Sequence, residues 1–294
     1  MKICRFGDNR LGVLYGDEVR DVSAALEILP AGRYPFPRHD LLIAHLDAIR
    51  ARIVELAPQA PVVAGADLLL RSPVANPGKI IAAPVNYRKH LQEVLNDPDL
   101  HHDNQISHIE RAGLFLKATS SVVGAADGVA LIKPDRRNDH EVELAVVIGR
   151  AARNVSREAA LDYVAGYCIG LDITIRGPEE RSFRKSPDSY TVLGPWLVTA
   201  DELPQPGKLS FSILVNGELR QQSNTADLIL GVPELIEFAS SFYTLQPGDV
   251  ILTGTPEGVA SIKPGDVMLA EIEGIGRMEV AVRAAQPAPG AGDA

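Results

Sequence analysis

EVELAVVIG, residues 141–149, reads as a buried strand with two carboxylates at its head. Side chains on a strand alternate faces, so Glu141 and Glu143 project the same way, roughly 7 Å apart along the chain. Val142, Leu144, Val146 and Ile148 line the opposite face. A run this apolar is buried on at least one side, where neighbouring carboxylates repel unless they are protonated or bound to a cation. A hard divalent ion removes that conflict, and magnesium in particular takes oxygen ligands while keeping several waters. The competing reading leaves both glutamates on the solvent face of an edge strand. Asp172 is the candidate third ligand, because it stands in a second strand-like apolar run, YCIGLDIT (167–174), where an isolated carboxylate needs a reason. Its alternative is a turn residue at a strand end.

Outward from this pair the chain is rich in short strands. KICRF, GDNR and LGVLY (2–15) spell a hairpin, and Leu41, Leu42, Ala44, Leu46, Ile49, Ile53 and Leu56 mark an amphipathic helix over 40–56. Pro58, Pro61, Pro73 and Pro77 then punctuate a linker. Past it come KIIAA (79–83), a helix over YRKHLQEVLN (87–96), and the strand-like LFLK, LGPWLVT, SFSILVNG, VILTGT and VMLAEIEG. Helices are expected near 157–165 and 232–243. Many strands with few helices between them give an α+β, β-rich fold and point away from a doubly wound nucleotide fold. The expected division is a small N-terminal α/β domain with linker (1–75), a catalytic domain (76–284) and a flexible tail (285–294).

Composition excludes several function classes. The 294 residues are 46% hydrophobic, enough for a full core, and the net charge of -9 with no Lys/Arg run opposes nucleic-acid binding. Cys4 and Cys168 form neither a disulfide framework nor a zinc motif. No apolar segment reaches the length of about 20 residues that spans a bilayer, so a cytoplasmic protein that binds no membrane is expected.

Three further groups carry chemistry. His90 and Glu93 are three apart on the expected helix and therefore neighbours; the carboxylate can orient the imidazole as a base for water, although surface His-Glu pairs are common. Arg176, Arg181, Arg184 and Lys185 follow Asp172 and can receive a carboxylate or a developing enolate, unless they form a solvated loop balanced by Glu179, Glu180 and Asp188. ILTGTPEGV (251–259) runs a strand into Gly254, where backbone can approach a ligand, and Thr255, which offers a hydroxyl. It lacks a Walker ending, and an ordinary strand exit looks similar.

In order, KII, NYRKHLQE, FLKATSS, HEVELAVVIGR, GYCIGLDITIR, RKSPDSYTVLGPWLVT, GDVILTGTPEGV and GDVMLAEIEGIG resemble the fumarylacetoacetate hydrolase family over residues 79–282. The resemblance implies a mixed β-sandwich or roll and a typical homodimer. It implies Mg2+ or Mn2+ on Glu141, Glu143 and Asp172, and Lys185 and Arg176 at a small anionic keto-acid substrate. Gly254 and Thr255 would hold a substrate carboxylate or carbonyl. In the acylpyruvase-like branch His90 and Glu93 would sit on a lid helix and prime the hydrolytic water. Three features depart from the family: Glu179 stands where many relatives carry glutamine, Ala83-Pro84-Val85 replaces the glycine and small spacer that often precede NY, and a polar insertion occupies 96–113 and is expected to shape the pocket entrance. The expected function is metal-dependent hydrolysis of a carbon-carbon bond in a 1,3-dicarbonyl compound such as an acylpyruvate, in aromatic-compound catabolism. The alternatives are a decarboxylase or isomerase of a related acid, and a catalytically silent metal and anion binder.

Overall fold

The computed structural model of the chain describes residues 1–97, 100 and 109–285. Among these residues the strands form sheets of eleven, five and three. Val142–Ile148 runs through the largest, antiparallel to Val164–Asp172 on one side and to Val250–Leu252 on the other. Next to Val164–Asp172 come Thr191–Thr199 and then the N-terminal meander Lys2–Phe6, Arg10–Tyr15 and Glu18–Asp21. Next to Val250–Leu252 come Ile80–Ala82, in parallel, and Phe115–Lys117.

All seven residues of Val142–Ile148 are buried. Val142, Leu144, Val146 and Ile148 enter one core, whereas Ala145 and Val147 enter a second with Leu193, Leu252 and the helix residues Ile49 and Ile53. The alternation expected from the sequence is therefore kept, and both faces of the sheet are covered. The five-stranded sheet supplies much of the first core through Phe211, Ile213, Met268, Ala270, Met278 and Val280. Packing one β-layer on another with few helices gives the β-rich α+β sandwich implied by the family resemblance.

The N-terminal segment is joined to this framework by hydrogen bonds and by packing. Lys2–Phe6 pairs with Thr191–Thr199, and Leu46–Leu56 buries Leu46, Ile49 and Ile53 in the second core. The boundary near residue 75 thus falls within one continuous sheet. The expected helix over 40–56 divides at His45 into Leu41–Ala44 and Leu46–Leu56. Asp40 caps it: one carboxylate oxygen accepts from the Ile43 amide at 3.1 Å, and the other accepts from the Ala75 and Asn76 amides at 3.0 Å, tying the proline-rich stretch to the helix.

One expected helix is corrected. Residues 157–163 form only a 3-10 turn, and Val164 and Ala165 already belong to Val164–Asp172, where pairing with Val142–Ile148 overrides local helix propensity. Much of the 96–113 insertion and residues 286–294 of the expected tail lie outside the described residues. Among the described residues no helix is long and apolar enough to cross a membrane.

If both cores are close-packed, Leu144→Ala in the first and Leu252→Ala in the second should each lower unfolding free energy by about 2–5 kcal/mol. Urea denaturation checks this, and a change near zero at either position would show that face to be loosely packed.

Candidate metal centre and active site

Strand pairing brings the three carboxylates together. Val142 lies opposite Leu171 and Glu143 opposite Gly170, while the Asp172 amide donates to the Glu141 carbonyl at 2.9 Å. Glu141, Glu143 and Asp172 are buried, with one ligand oxygen from each lying within 4.8 Å of the others.

Cations surround them unevenly. The Lys185 ammonium donates to Glu141 Oε2 at 2.7 Å and to Asp172 Oδ2 at 2.6 Å. Lys117, also buried, donates to Asp172 Oδ1 and to the Tyr190 carbonyl at 2.8 Å. Arg176 bridges Asp139 Oδ2 at 2.7 Å and Glu141 Oε1 at 3.0 Å, and Thr174 Oγ1 donates to the same Glu141 oxygen at 3.0 Å. Burial opposes ionisation of Glu141, but Lys185 and Arg176 outweigh it and hold the carboxyl down to about 2. Glu143 is different: Oε2 accepts from the Gly254 amide at 2.6 Å, yet burial and the neighbouring charge of Asp172 push its carboxyl well above the usual range. Three converging oxygen donors, one of them lacking a cationic partner among the described residues, fit a hard divalent cation of the magnesium or manganese type.

The expected helix forms as Arg88–Asn96 and buries His90. His90 Nδ1 and Glu93 Oε2 are 2.8 Å apart, and Glu93 Oε1 accepts from the Gly258 amide at 2.9 Å. His90 is close enough to Glu141 that a positive charge on the ring would favour the carboxylate. Asn86 anchors the chain entering the helix, donating to the carbonyls of Leu230 at 2.8 Å and Thr253 at 2.9 Å while accepting from the Leu230 amide at 2.8 Å.

The other expected site residues are placed as follows. Gly254 has φ +98°, and a Cβ there would meet the Asn86 Cβ at 2.8 Å, so the tight crossing requires glycine. Thr255 Oγ1 donates to the Val142 carbonyl at 3.0 Å and accepts from Gln221 Nε2 at 2.9 Å. The cation segment contains a short helix, Arg181–Lys185, in place of a solvated loop. Its Arg184 is spent on the carbonyls of Glu179 at 2.7 Å and Ile175 at 3.0 Å. Glu179 adds no free charge, because Arg136 grips both its oxygens at 2.8 and 2.9 Å and holds its carboxyl down to about 2.

The fumarylacetoacetate (FAA) hydrolase C-terminal model matches residues 79–283. The chain belongs to the fumarylacetoacetate hydrolase family. It is 66% identical over 285 residues to a maleylpyruvate hydrolase of Aquipseudomonas alcaligenes, covering 96% of this chain and 99% of the relative. A crystal structure of maleylpyruvate hydrolase from Sphingobium sp. SYK-6, in complex with manganese(II) and pyruvate, is 40% identical with a TM-score of 0.82, over 97% of this chain and 100% of that one. A bifunctional isomerase/decarboxylase of 4-hydroxyphenylacetate degradation from Escherichia coli is 41% identical over 208 residues, 68% of this chain and 46% of the longer relative.

In this family member, sequence reasoning had given no role to Lys117, Asp139 and Gln221, and had quoted Asn86 only as the start of NYRKHLQE. A lysine closing the apolar strand Phe115–Lys117 was a readable signal, since a buried ammonium needs an anion. Asp139 and Gln221 carried none, because the partners that tie them to the site, Arg176 and Thr255, come from distant segments.

Glu143→Gln should weaken manganese binding by more than about 100-fold, beyond the 10–100-fold typical of outer-shell changes. It should also stabilise the metal-free protein. With its folded carboxyl raised, Glu143 costs nothing at low pH and becomes destabilising as pH rises above its unfolded value, so the gain from glutamine should widen with pH. Thermal unfolding of chelator-treated protein at pH 5 and pH 8 reads this; a gap that narrowed at pH 8 would contradict it.

Proposed function

We propose that the chain is a metal-dependent hydrolase that cleaves a carbon-carbon bond in an acylpyruvate, with maleylpyruvate as the first substrate to assay. The observation that carries this reading is the convergence of Glu141, Glu143 and Asp172 beside a buried His90–Glu93 pair. Similarity to hydrolases of that substrate supports it. Magnesium or manganese on the three carboxylates would supply Lewis acidity to the dicarbonyl oxygens.

The residues of the chain divide the remaining work. Glu93 accepts from His90 Nδ1, so the tautomer it favours leaves Nε2 free to take a proton from water. The hydroxyl adds to the carbonyl farther from the pyruvate carboxylate, the adjoining carbon-carbon bond breaks, and its electron pair passes to the pyruvate portion. The methylene carbon of that portion takes up a proton, giving pyruvate and the free acid. Lys185, on the oxygens of Glu141 and Asp172, is placed to offset negative charge developing there, and Lys117 fixes Asp172 from its other side. Arg176, itself fixed by Asp139, holds Glu141 in orientation, and Gly254 orients Glu143. We place the enzyme in the cytoplasm as a homodimer, serving the catabolism of aromatic compounds.

A second reading, decarboxylation or double-bond isomerisation of a related acid, is favoured by the likeness to the Escherichia coli isomerase/decarboxylase. That chemistry needs no attacking water.

Chelation should abolish pyruvate release from maleylpyruvate, and added Mn2+ or Mg2+ should restore it. His90→Ala should lower kcat by about 10²–10⁴-fold, the range for loss of a general base. Unchanged hydrolysis after metal removal overturns the metal dependence, absence of hydrolysis by the metal-loaded enzyme overturns the hydrolase reading, and a His90→Ala enzyme that still decarboxylates oxaloacetate at the wild-type rate favours the second one.

A further inference from the structure

Among the described residues, the cations around the three carboxylates are committed, with one exception. Lys117 and Lys185 serve Asp172 and Glu141, Arg176 joins Asp139 to Glu141, and Arg136 holds Glu179. Arg184 is bound to backbone carbonyls. Arg181, among the described residues, is in no hydrogen bond or ion pair, although its side chain is not freely exposed: the guanidinium lies over the Phe115 ring, 5.5 Å from the centroid. Lys185 lies over the same ring at 5.7 Å. The two cations are four apart on the helix Arg181–Lys185, so they share one face and flank one ring. Their separation cannot exceed those two distances laid end to end. Burial lowers the Arg181 guanidinium from its ordinary value, while Glu180 and, from the metal centre, Glu141 and Asp172 pull it back.

A half-buried guanidinium without an anion is costly to keep, whereas a planar fork beside the reaction centre suits a carboxylate brought by a ligand. We infer that Arg181 receives the second carboxylate of a dicarboxylic acylpyruvate, the one at the acyl end, and so determines which acyl groups are accepted. The inference rests on the acylpyruvate reading and narrows it. The pyruvate end of the substrate lies toward Lys185 and the carboxylates, and the acyl chain extends along the Phe115 ring by several bond lengths to Arg181. The helix Arg181–Lys185 then acts as a gauge, one turn separating the cation at the reacting end from the cation at the distal end. Neutral acyl groups leave Arg181 unpaired, and the site discriminates against them because a buried charge is left without its partner.

The metal-loaded enzyme assayed on maleylpyruvate and on acetylpyruvate, which lacks the distal carboxylate, tests this. Arg181→Met should lower kcat/KM for maleylpyruvate by roughly 30-fold or more, as expected when one partner of a desolvated charge pair is removed. Most of that loss should appear in KM, and the change on acetylpyruvate should stay below about threefold. Arg181→Lys should recover part of the loss on maleylpyruvate. Equal losses on both substrates, or no loss on maleylpyruvate, would overturn the assignment. Calorimetric titration gives a second readout: Arg181→Met should weaken maleate binding by a similar factor and leave pyruvate binding in place. Wild-type enzyme that cleaves neither substrate would sink the hydrolase reading alone, and the maleate titration would still decide whether Arg181 binds the distal carboxylate.

Discussion

Three carboxylates packed within 4.8 Å of one another in a buried site are the constraint around which the rest of the structure is arranged. Unscreened, such a group is among the costliest arrangements a core can hold, because burial and mutual repulsion act in the same direction. The protein offsets it in layers. Lys117, Lys185 and Arg176 neutralise Asp172 and Glu141 directly, and Asp139 in turn fixes Arg176. Glu143 is left with only a backbone amide. That imbalance distinguishes a place built to receive a cation from a self-sufficient ion-pair network, in which every charge would be matched within the chain.

The framework makes that concentration of charge tolerable. Val142–Ile148 is gripped by a core on each face, so the segment that positions Glu141 and Glu143 is rigidly held from both sides. The same arrangement explains the close crossing at Gly254, where Asn86 joins the turn to the start of the helix Arg88–Asn96. The carboxylates thus stand on strands, and the His90–Glu93 pair faces them from a helix.

Much of this was legible in the sequence, and the reasons are specific. EVELAVVIG and YCIGLDIT announced themselves because period-two apolar runs rarely contain carboxylates, and the HxxE spacing follows from helix geometry alone. The edge strand Glu218–Asn224 escaped notice because only Gln221 is buried along it, leaving no apolar alternation to read. Gly276–Ala284 did alternate, burying Met278, Val280 and Val282, and was simply passed over. The 3-10 turn at 157–163 and the helix Arg181–Lys185 reflect long-range pairing and packing that local propensity does not encode. The harmlessness of Glu179 depends on Arg136, more than forty positions earlier, and no local pattern could have disclosed it.

Glu93 holds two partners at once, the imidazole of His90 and the backbone amide of Gly258. The first contact lies within the Arg88–Asn96 helix and the second ties that helix to another segment, so a shift of the helix would break the second and carry the first along intact. The Gly258 contact therefore registers the His90–Glu93 pair against the turn that follows Gly254, while the helix itself sets the spacing within the pair.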